Sequence, residues 1–282
     1  MVLLTLPALI AFAGNSLLCR IALVHTNIDA ASFTTIRLLS GALVLWVLVM
    51  LRDRGRRVGI AGKGNWLSAL ALFVYAAGFS FAYIQLNTGM GALILFGAVQ
   101  TSMIAFGLWR GERFTAAQWL GLLMAFSGLI GLLLPGLSAP PLTGAMMMIV
   151  AGIAWGVYSL RGKGAGDPLQ ITAGNFSRTV PMALLLSLML LSRASPDSAG
   201  VYYALLSGAL TSGVGYAIWY SALPLLKATT AATVQLSVPL LAALGGVVLL
   251  QEPLTLRLLL AALAILGGIA LVVLQPKRLT ID

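Results

Sequence analysis

The chain has 282 residues, of which 60% are hydrophobic and 9% charged, and a formal net charge of +10. A soluble domain carries about 25% charged residues. Charge this sparse, with recurring apolar runs of about 20 residues, excludes a soluble protein and describes a polytopic membrane protein. The single cysteine, Cys19, excludes a disulfide framework and a cysteine-rich metal site and reads as a small packing residue in a helix.

Lipid supplies no hydrogen-bond partners, so the apolar runs must be helices or barrel strands. They do not alternate polar with apolar residues, and an all-α fold is expected. Ten spans are predicted, near residues 3–24, 31–51, 65–86, 89–109, 115–134, 144–161, 169–191, 199–224, 229–250 and 255–274. Short loops leave no room for a soluble domain on either side. In the first span, Ala11-Phe12-Ala13 resembles a signal-peptidase site. No Lys or Arg precedes it and the apolar run continues to Val24, so the span is expected to stay. Thr115 with Gln118 forms a predicted capping box for the fifth span.

The 17 Lys and Arg sort unevenly. One set of alternate connections holds 12: Arg52, Arg54, Arg56, Arg57, Lys63, Arg110, Arg113, Arg161, Lys163 and Lys227, with Lys277 and Arg278 in the tail. The opposite set holds two, Arg193 and Arg257, and three lie within spans: Arg20, Arg37 and Arg178. This asymmetry predicts an inner-membrane protein with both termini cytoplasmic. It explains the net charge without a nucleic-acid partner. The expected partners are the bilayer and a small-molecule substrate, with the protein acting as a monomer.

The two halves superimpose at a shift of about 140 residues. "AFAGNSLLCR" (11–20) lies over "GIAWGVYSLR" (152–161), and Arg20, Arg37 and Arg52 fall on Arg161, Arg178 and Arg193. "AYIQLNTGMGAL" (82–93) lies over "ALPLLKATTAAT" (222–233), and "RGERFT" over "LQEPLT" pairs Glu112 with Glu252. Residues 1–140 and 141–282 are thus expected to be two five-helix repeats. Five spans per repeat place the second upside down relative to the first, an arrangement of transporters that bind substrate at the midplane between halves.

In the ninth span, "VQLSVPLLAALGG" (234–246) carries Gln235, Ser237 and Pro239 in an apolar setting. Pro239 cannot donate a backbone hydrogen bond, and its ring displaces the carbonyl of Gln235. The counterpart "LFGAVQTSMIAFG" (95–107), with Gln100, is expected to be interrupted too. Matched breaks point to a transport site; the alternative is a kink that serves only packing. Tyr75, Phe79 and Tyr83 share one helix face, as do Tyr216 and Tyr220, and Trp155 and Tyr158. Trp155 and Tyr216 lie deep enough to be cavity residues. Tyr83, Trp66, Trp109 and Trp119 sit near span ends, where aromatic residues mark interfaces.

Arg178 lies midway through the seventh span, and either binds a substrate carboxylate or pairs with freed carbonyls. Arg20 is close to a span end and is expected to snorkel. Glu112 and Glu252 read as end-of-helix features, and His25 as an interfacial residue. All seven acids sit at span ends or in loops. No midplane carboxylate is available as a proton carrier, and no GxxxxGK[ST] loop is present for ATP. An intramembrane protease or prenyltransferase would need a buried His, paired Asp or an acidic cluster, and no symmetric ring suggests a channel filter. No metal or cofactor is expected.

The segment "GYAIWYSALPLLKATTAATVQLSVPLLAALGGVVLLQEPLT", followed by "AALAILGGIALVV", resembles the ten-span EamA-type branch of the drug/metabolite transporter superfamily. "GNSLLCR", "TIRLLSGAL" and "GERFT" extend the resemblance into the first half, which departs from the pattern where Val99 stands in place of a proline opposite Pro239. Within the superfamily the chain is most similar to the YddG-type aromatic amino acid exporters. The resemblance implies a secondary transporter that exports aromatic and other neutral amino acids by alternating access, with drug or other metabolite efflux as the alternative. The substrate-binding set expected is Asn15, Tyr75, Phe79, Gln100, Trp155, Tyr158, Arg178, Tyr216, Gln235, Ser237 and Pro239.

Overall fold

A computed structural model describes residues 2–53, 63–111, 113–134, 139–162, 166–222 and 234–274, without the side chains of residues 2–4, 220 and 221. Glu112, Arg54, Arg56, Arg57, Lys163, Lys227, Lys277, Arg278, the "LPLLKATTAAT" stretch and the Tyr220 side chain lie outside the described residues. Every regular element among those described is helical. In chain order these are α1 (Val2–His25), α2 (Ala30–Arg52), α3 (Trp66–Tyr83), α4 (Thr88–Trp109), α5 (Ala116–Leu133), α6 (Leu142–Gly162) and α7 (Pro168–Met189). A 3₁₀ turn (Leu191–Arg193), α8 (Ser198–Leu206), a π-helical segment (Ser207–Val214), α9 (Gly215–Ala222), α10 (Ser237–Leu250) and α11 (Leu256–Leu274) follow.

A helix therefore stands at each of the ten expected places. Among the described residues, eight stretches are long and apolar enough to cross a membrane: α1 to α6, α8 with its π-helical continuation into α9, and α11. The helix α7 is long, at 22 residues, but carries Gln170, Asn175, Ser177 and Arg178. The helix α10 is apolar but has only 14 residues. The expectation of ten crossings rests, beyond the eight, on these two.

The helix starts follow local chemistry. Asp29 accepts from the Ala31 and Ser32 N–H groups, Asn65 from Ser68, and Asp197 from Gly200. Asp167 accepts from Leu169 and Gln170, with Pro168 opening the helix. The capping box of Thr115 and Gln118 is formed.

Packing follows a regular scheme. α3 lies on α6, and α1 on α8, the π-helical segment and α9; α2 lies on α7, α4 on α10, and α5 on α11. Small residues permit the closest crossings, as expected where apolar association gives no advantage over lipid. A methyl group on Gly121 of α5 would overlap the carbonyl of Gly268 of α11, and the converse holds for Gly268. Large apolar side chains such as Leu51, Leu188, Met189 and Leu263 point outward, as a lipid-facing surface requires.

Two expectations are corrected. α4 runs unbroken from Thr88 to Trp109. Val99 keeps the N–H that a proline would lack, so the hydrogen-bond ladder continues, and of the matched pair of spans four and nine the described residues show a break in the ninth alone. Tyr83 is fully buried rather than interfacial, and its hydroxyl donates to the Thr88 carbonyl at 3.2 Å. Trp66, Trp109 and Trp119 are exposed, as expected of an interfacial belt.

Candidate functional site

A narrow cavity lies in the middle of the bundle. Phe12, Asn15 and Ser16 of α1, Tyr75 and Phe79 of α3, and Leu95 and Phe96 of α4 form one side. Trp155 of α6, Tyr216 of α9 and Gln235, just before α10, close it from the other. Its volume is about 20 Å³, room for about one water. Among the described residues no carboxylate lines it.

The walls are a continuous aromatic shell. The Trp155 ring centroid is 4.7 Å from Tyr75, 5.2 Å from Tyr216 and 5.4 Å from Tyr158. Phe12 meets Tyr216 edge-on at 5.7 Å, and Phe79 lies 5.5 Å from Tyr75 and 4.7 Å from Tyr83. The predicted common face of Tyr75, Phe79 and Tyr83 is this ladder. Edge and tilted contacts of this kind hold ring orientation as well as burying area.

Behind the rings lies a polar layer. Asn15 Oδ1 accepts from Ser207 Oγ at 2.7 Å and from Thr211 Oγ1 at 3.2 Å, while its Nδ2 donates to the Tyr75 hydroxyl at 3.5 Å. Ser207 and Thr211 belong to the π-helical segment, which sequence reasoning did not foresee. Such insertions widen a helix turn and cluster at functional sites. Gly208 allows the segment to lie directly on α2: a Cβ there would overlap the Ser40 hydroxyl and the Arg37 carbonyl oxygen.

Arg37 of α2 is the largest of the fully buried side chains, 2% exposed. Its Nε donates to Ser212 Oγ at 3.3 Å and its Nη2 to the Tyr75 hydroxyl at 3.3 Å. Its Cζ lies 4.9 Å from the Phe79 ring centroid and 5.5 Å from that of Tyr75. Its Nη1 is buried with no hydrogen-bond partner among the described residues.

Of the expected set, Asn15, Tyr75, Phe79, Trp155, Tyr216 and Gln235 meet at the cavity. Tyr158 is buried behind Trp155, and Gln100 is buried in α4 away from the cavity wall. Arg178 Nη1 donates to the Gly174 carbonyl of its own helix at 2.9 Å. The helix of the ninth span breaks at Leu236; Ser237 Oγ donates to the Val234 carbonyl at 2.6 Å, and Pro239 is buried in the first turn of α10. Phe12, Ser16, Leu95, Phe96 and Arg37 were not foreseen. The spacing of Phe12, Asn15, Ser16 and Cys19 along one face of α1 is a signal that could have found the first two.

One end of the bundle is latched. Arg20 donates to the Tyr83 carbonyl at 2.8 Å, the Ile84 carbonyl at 3.1 Å and Asn87 Oδ1 at 3.4 Å, and pairs with Glu252 at 3.3 Å. Glu252 also accepts from the Thr88 N–H at 2.8 Å and hydroxyl at 3.2 Å. Asn87 makes no side-chain cap bond, and the Glu252 carboxylate serves instead as the cap of α4. Arg20 is thus not a snorkelling side chain, and Glu252 does more than end its own helix. At the opposite end Arg52 binds Asp167 through two bonds, of 3.1 and 2.6 Å. Burial pushes the Asp167 carboxyl up, but Arg52 and the Gln170 and Leu169 N–H groups outweigh it and hold it below the usual carboxylate range.

Comparisons with known proteins agree with this architecture. The sequence profile of the EamA-like transporter family matches residues 142–274. An uncharacterized protein of Pseudomonas aeruginosa is 59% identical over 275 residues, covering 98% of this chain and 94% of that protein. An uncharacterized transporter of Archaeoglobus fulgidus is 27% identical over 265 residues, 89% of each chain. The uncharacterized transporter YoaV of Bacillus subtilis is 26% identical over 166 residues, 56% of this chain and 57% of that protein. A solved crystal structure superimposes with a TM-score of 0.67 over 98% of each chain at 18% identity, a likeness of fold. This chain is a multi-pass membrane protein that belongs to the EamA-like transporter family of the drug/metabolite transporter superfamily.

Proposed function

We propose that the chain is a secondary transporter that exports small organic solutes, aromatic and other neutral amino acids foremost, across the inner (cytoplasmic) membrane. The observation that carries this reading is the cavity between the two halves, with aromatic walls and the neutral polar groups Asn15, Ser16 and Gln235 among its lining. Tyr and Trp faces accommodate an apolar or aromatic side chain. The amide and hydroxyl groups suit a zwitterionic head, and the lack of an acidic wall residue disfavours strongly cationic drugs.

The packing scheme supports two inverted repeats, 1–140 and 141–282. The first helix of each expected repeat packs against the third span of the other, and the second, fourth and fifth spans each pack against their own counterparts. A two-fold axis in the membrane plane produces this exchange pattern. The cavity draws on the first, third and fourth spans of the first half and on their counterparts in the second. A cavity of about 20 Å³ is far too small for an amino acid, since enclosing ligand sites occupy roughly 300–1,000 Å³. The helices must part for substrate to enter, and the Arg20–Glu252 latch, assigned to the outer end with both termini cytoplasmic, is the contact that parting would break on that side.

Flux into proteoliposomes tests the reading. A panel of radiolabelled amino acids is expected to show saturable, mutually competing uptake with Phe and Trp preferred, weakly dependent on an imposed pH gradient. Trp155→Ala should raise KM at unchanged insertion. Uptake competed by cationic drugs and not by amino acids would overturn the substrate class in favour of drug efflux.

A further inference from the structure

We propose that Arg37 is the carboxylate receptor of the transport site, so that the substrates are small organic molecules bearing a carboxylate beside an apolar group. The inference rests on the reading of the cavity as the transport site, and extends it to the group that recognises the substrate head.

The argument begins with an imbalance of charge. A cation in the interior of a membrane protein is expensive and is kept where it is paired or functional. Arg20 and Arg52 have carboxylate partners. Arg37 forms no ion pair among the described residues, although it is 2% exposed. Every acid of the chain lies at a span end or in a loop. What surrounds the guanidinium is neutral: two ring faces, the Ser212 hydroxyl and the Tyr75 hydroxyl. Both hydrogen bonds are long, and Nη1 has no hydrogen-bond partner among the described residues. A guanidinium has five N–H donors in a planar fork suited to a carboxylate, and most of that capacity is unused.

The second observation is convergence. The Tyr75 hydroxyl stands between Arg37 Nη2, at 3.3 Å, and Asn15 Nδ2, at 3.5 Å. Asn15 is turned so that its amide N–H faces this point, because its Oδ1 is engaged by Ser207 and Thr211. Arg37 Nη2 and Asn15 Nδ2 thus both donate to the Tyr75 hydroxyl oxygen, a neutral acceptor, and Tyr75 and Asn15 are walls of the cavity. No anionic acceptor among the described residues lies beside these donors. A carboxylate arriving from the cavity would displace the stretched bonds to Tyr75 and accept from Nη1, Nη2 and the hydroxyl together. The aromatic shell would hold the rest of the molecule, with Phe79 and Trp155 flanking it.

The guanidinium could instead be a packing element, held by ring faces and indifferent to substrate. Ligand chemistry separates the two. The purified protein in detergent is titrated with 3-phenylpropanoate, phenylalanine, phenylalaninamide and phenethylamine, and the melting temperature is followed; the same compounds compete for phenylalanine uptake in proteoliposomes. In the wild type the two carboxylates should stabilise and compete at least tenfold more strongly than the amide and amine. Arg37→Gln should abolish that preference while leaving the amide and amine as they were. Tyr75→Phe removes one hydroxyl at nearly constant volume, and should weaken the carboxylates selectively, about threefold to tenfold, even if Arg37→Gln does not fold. Equal stabilisation by all four compounds in the wild type would overturn the proposal. So would no stabilisation by either carboxylate, or Tyr75→Phe weakening every ligand alike. Carboxylate-selective binding without uptake would refute transport while leaving the receptor in place, so the two claims fail separately.

Discussion

Glu252 offers a direct test of how the bundle holds one end shut. Its carboxylate accepts three bonds, from the Thr88 N–H, the Thr88 hydroxyl and Arg20 Nε. The side chains of the pair are only 14% and 11% exposed. In Glu252→Gln one oxygen remains an acceptor and the other becomes an NH₂ group facing donors. One of the three contacts is lost if the NH₂ replaces Oε2 and two are lost or reversed if it replaces Oε1, while Arg20 keeps the Tyr83 and Ile84 carbonyls. Hydrogen bonds to charged groups contribute about 1.5–3 kcal/mol each, and the retained partners of Arg20 limit the loss, so the closed arrangement should weaken by about 2–4 kcal/mol. If the latch is open in the transition to the alternate state, that is a shift of roughly 30-fold to 1,000-fold in the ratio of closed to open, at tenfold per 1.4 kcal/mol.

Cys19, the sole cysteine, is fully buried beside Arg20 and reports on this shift without an added probe. A membrane-impermeant maleimide added outside should label it slowly in the wild type and at least tenfold faster in Glu252→Gln. The melting temperature should fall by several degrees. If labelling is unchanged and melting moves by less than a degree, the carboxylate is worth no more than an exposed surface pair, and the latch is not a gate.

Further outcomes are expected. Gly208→Ala places a methyl group on the Ser40 hydroxyl and the Arg37 carbonyl oxygen, 2.8 Å from the Arg37 carbonyl carbon. Backbone cannot yield there cheaply, so thermal melting should drop by an amount equivalent to about 1–3 kcal/mol and transport should fall with it. Pro239→Ala restores a donor for the Gln235 carbonyl and should leave melting equal or higher while flux decreases; Gln235→Leu should raise KM by about fivefold, about 1 kcal/mol per hydrogen bond lost, at normal expression. Flux that tracks melting across both variants would make the break in the ninth span a packing device. Gly55→Cys should be protected from an external impermeant reagent and Pro196→Cys should be labelled, each with Cys19 replaced by alanine; the reverse would invert the assigned orientation.

The elements were legible because each rests on local chemistry. Apolar runs set the helices, and the capping box of Thr115 and Gln118 marked the start of α5. The aromatic face of α3 followed from a spacing of four residues. Span four was misread because glycine and polar side chains were taken as a break. A helix in protein surroundings tolerates Gly97 and Gln100 so long as the N–H ladder is intact; the break in the ninth span lies just before Pro239, which lacks a donor, although α7 runs through Pro181 unbroken.

The site was legible in its rings and hidden in its polar layer, for one physical reason. A ring declares itself by size, and its wall position follows from helix phase. A polar side chain has a meaning that depends on its partner, and here the partners are far apart in sequence: Asn15 with Ser207 and Thr211, Arg37 with Ser212, Arg20 with Glu252. Arg178 and Arg37 occupy matching positions in the two halves, and sequence alone favours Arg178 because it lies midway through its span. The fold reverses the ranking. Arg178 reaches a carbonyl of its own helix, whereas Arg37 is buried between α3 and the π-helical segment, with its guanidinium against the Tyr75 and Phe79 rings. The surroundings of a buried charge are a tertiary property, and the unused donor on Arg37 became visible only when α2, α3 and the π-helical segment were set side by side.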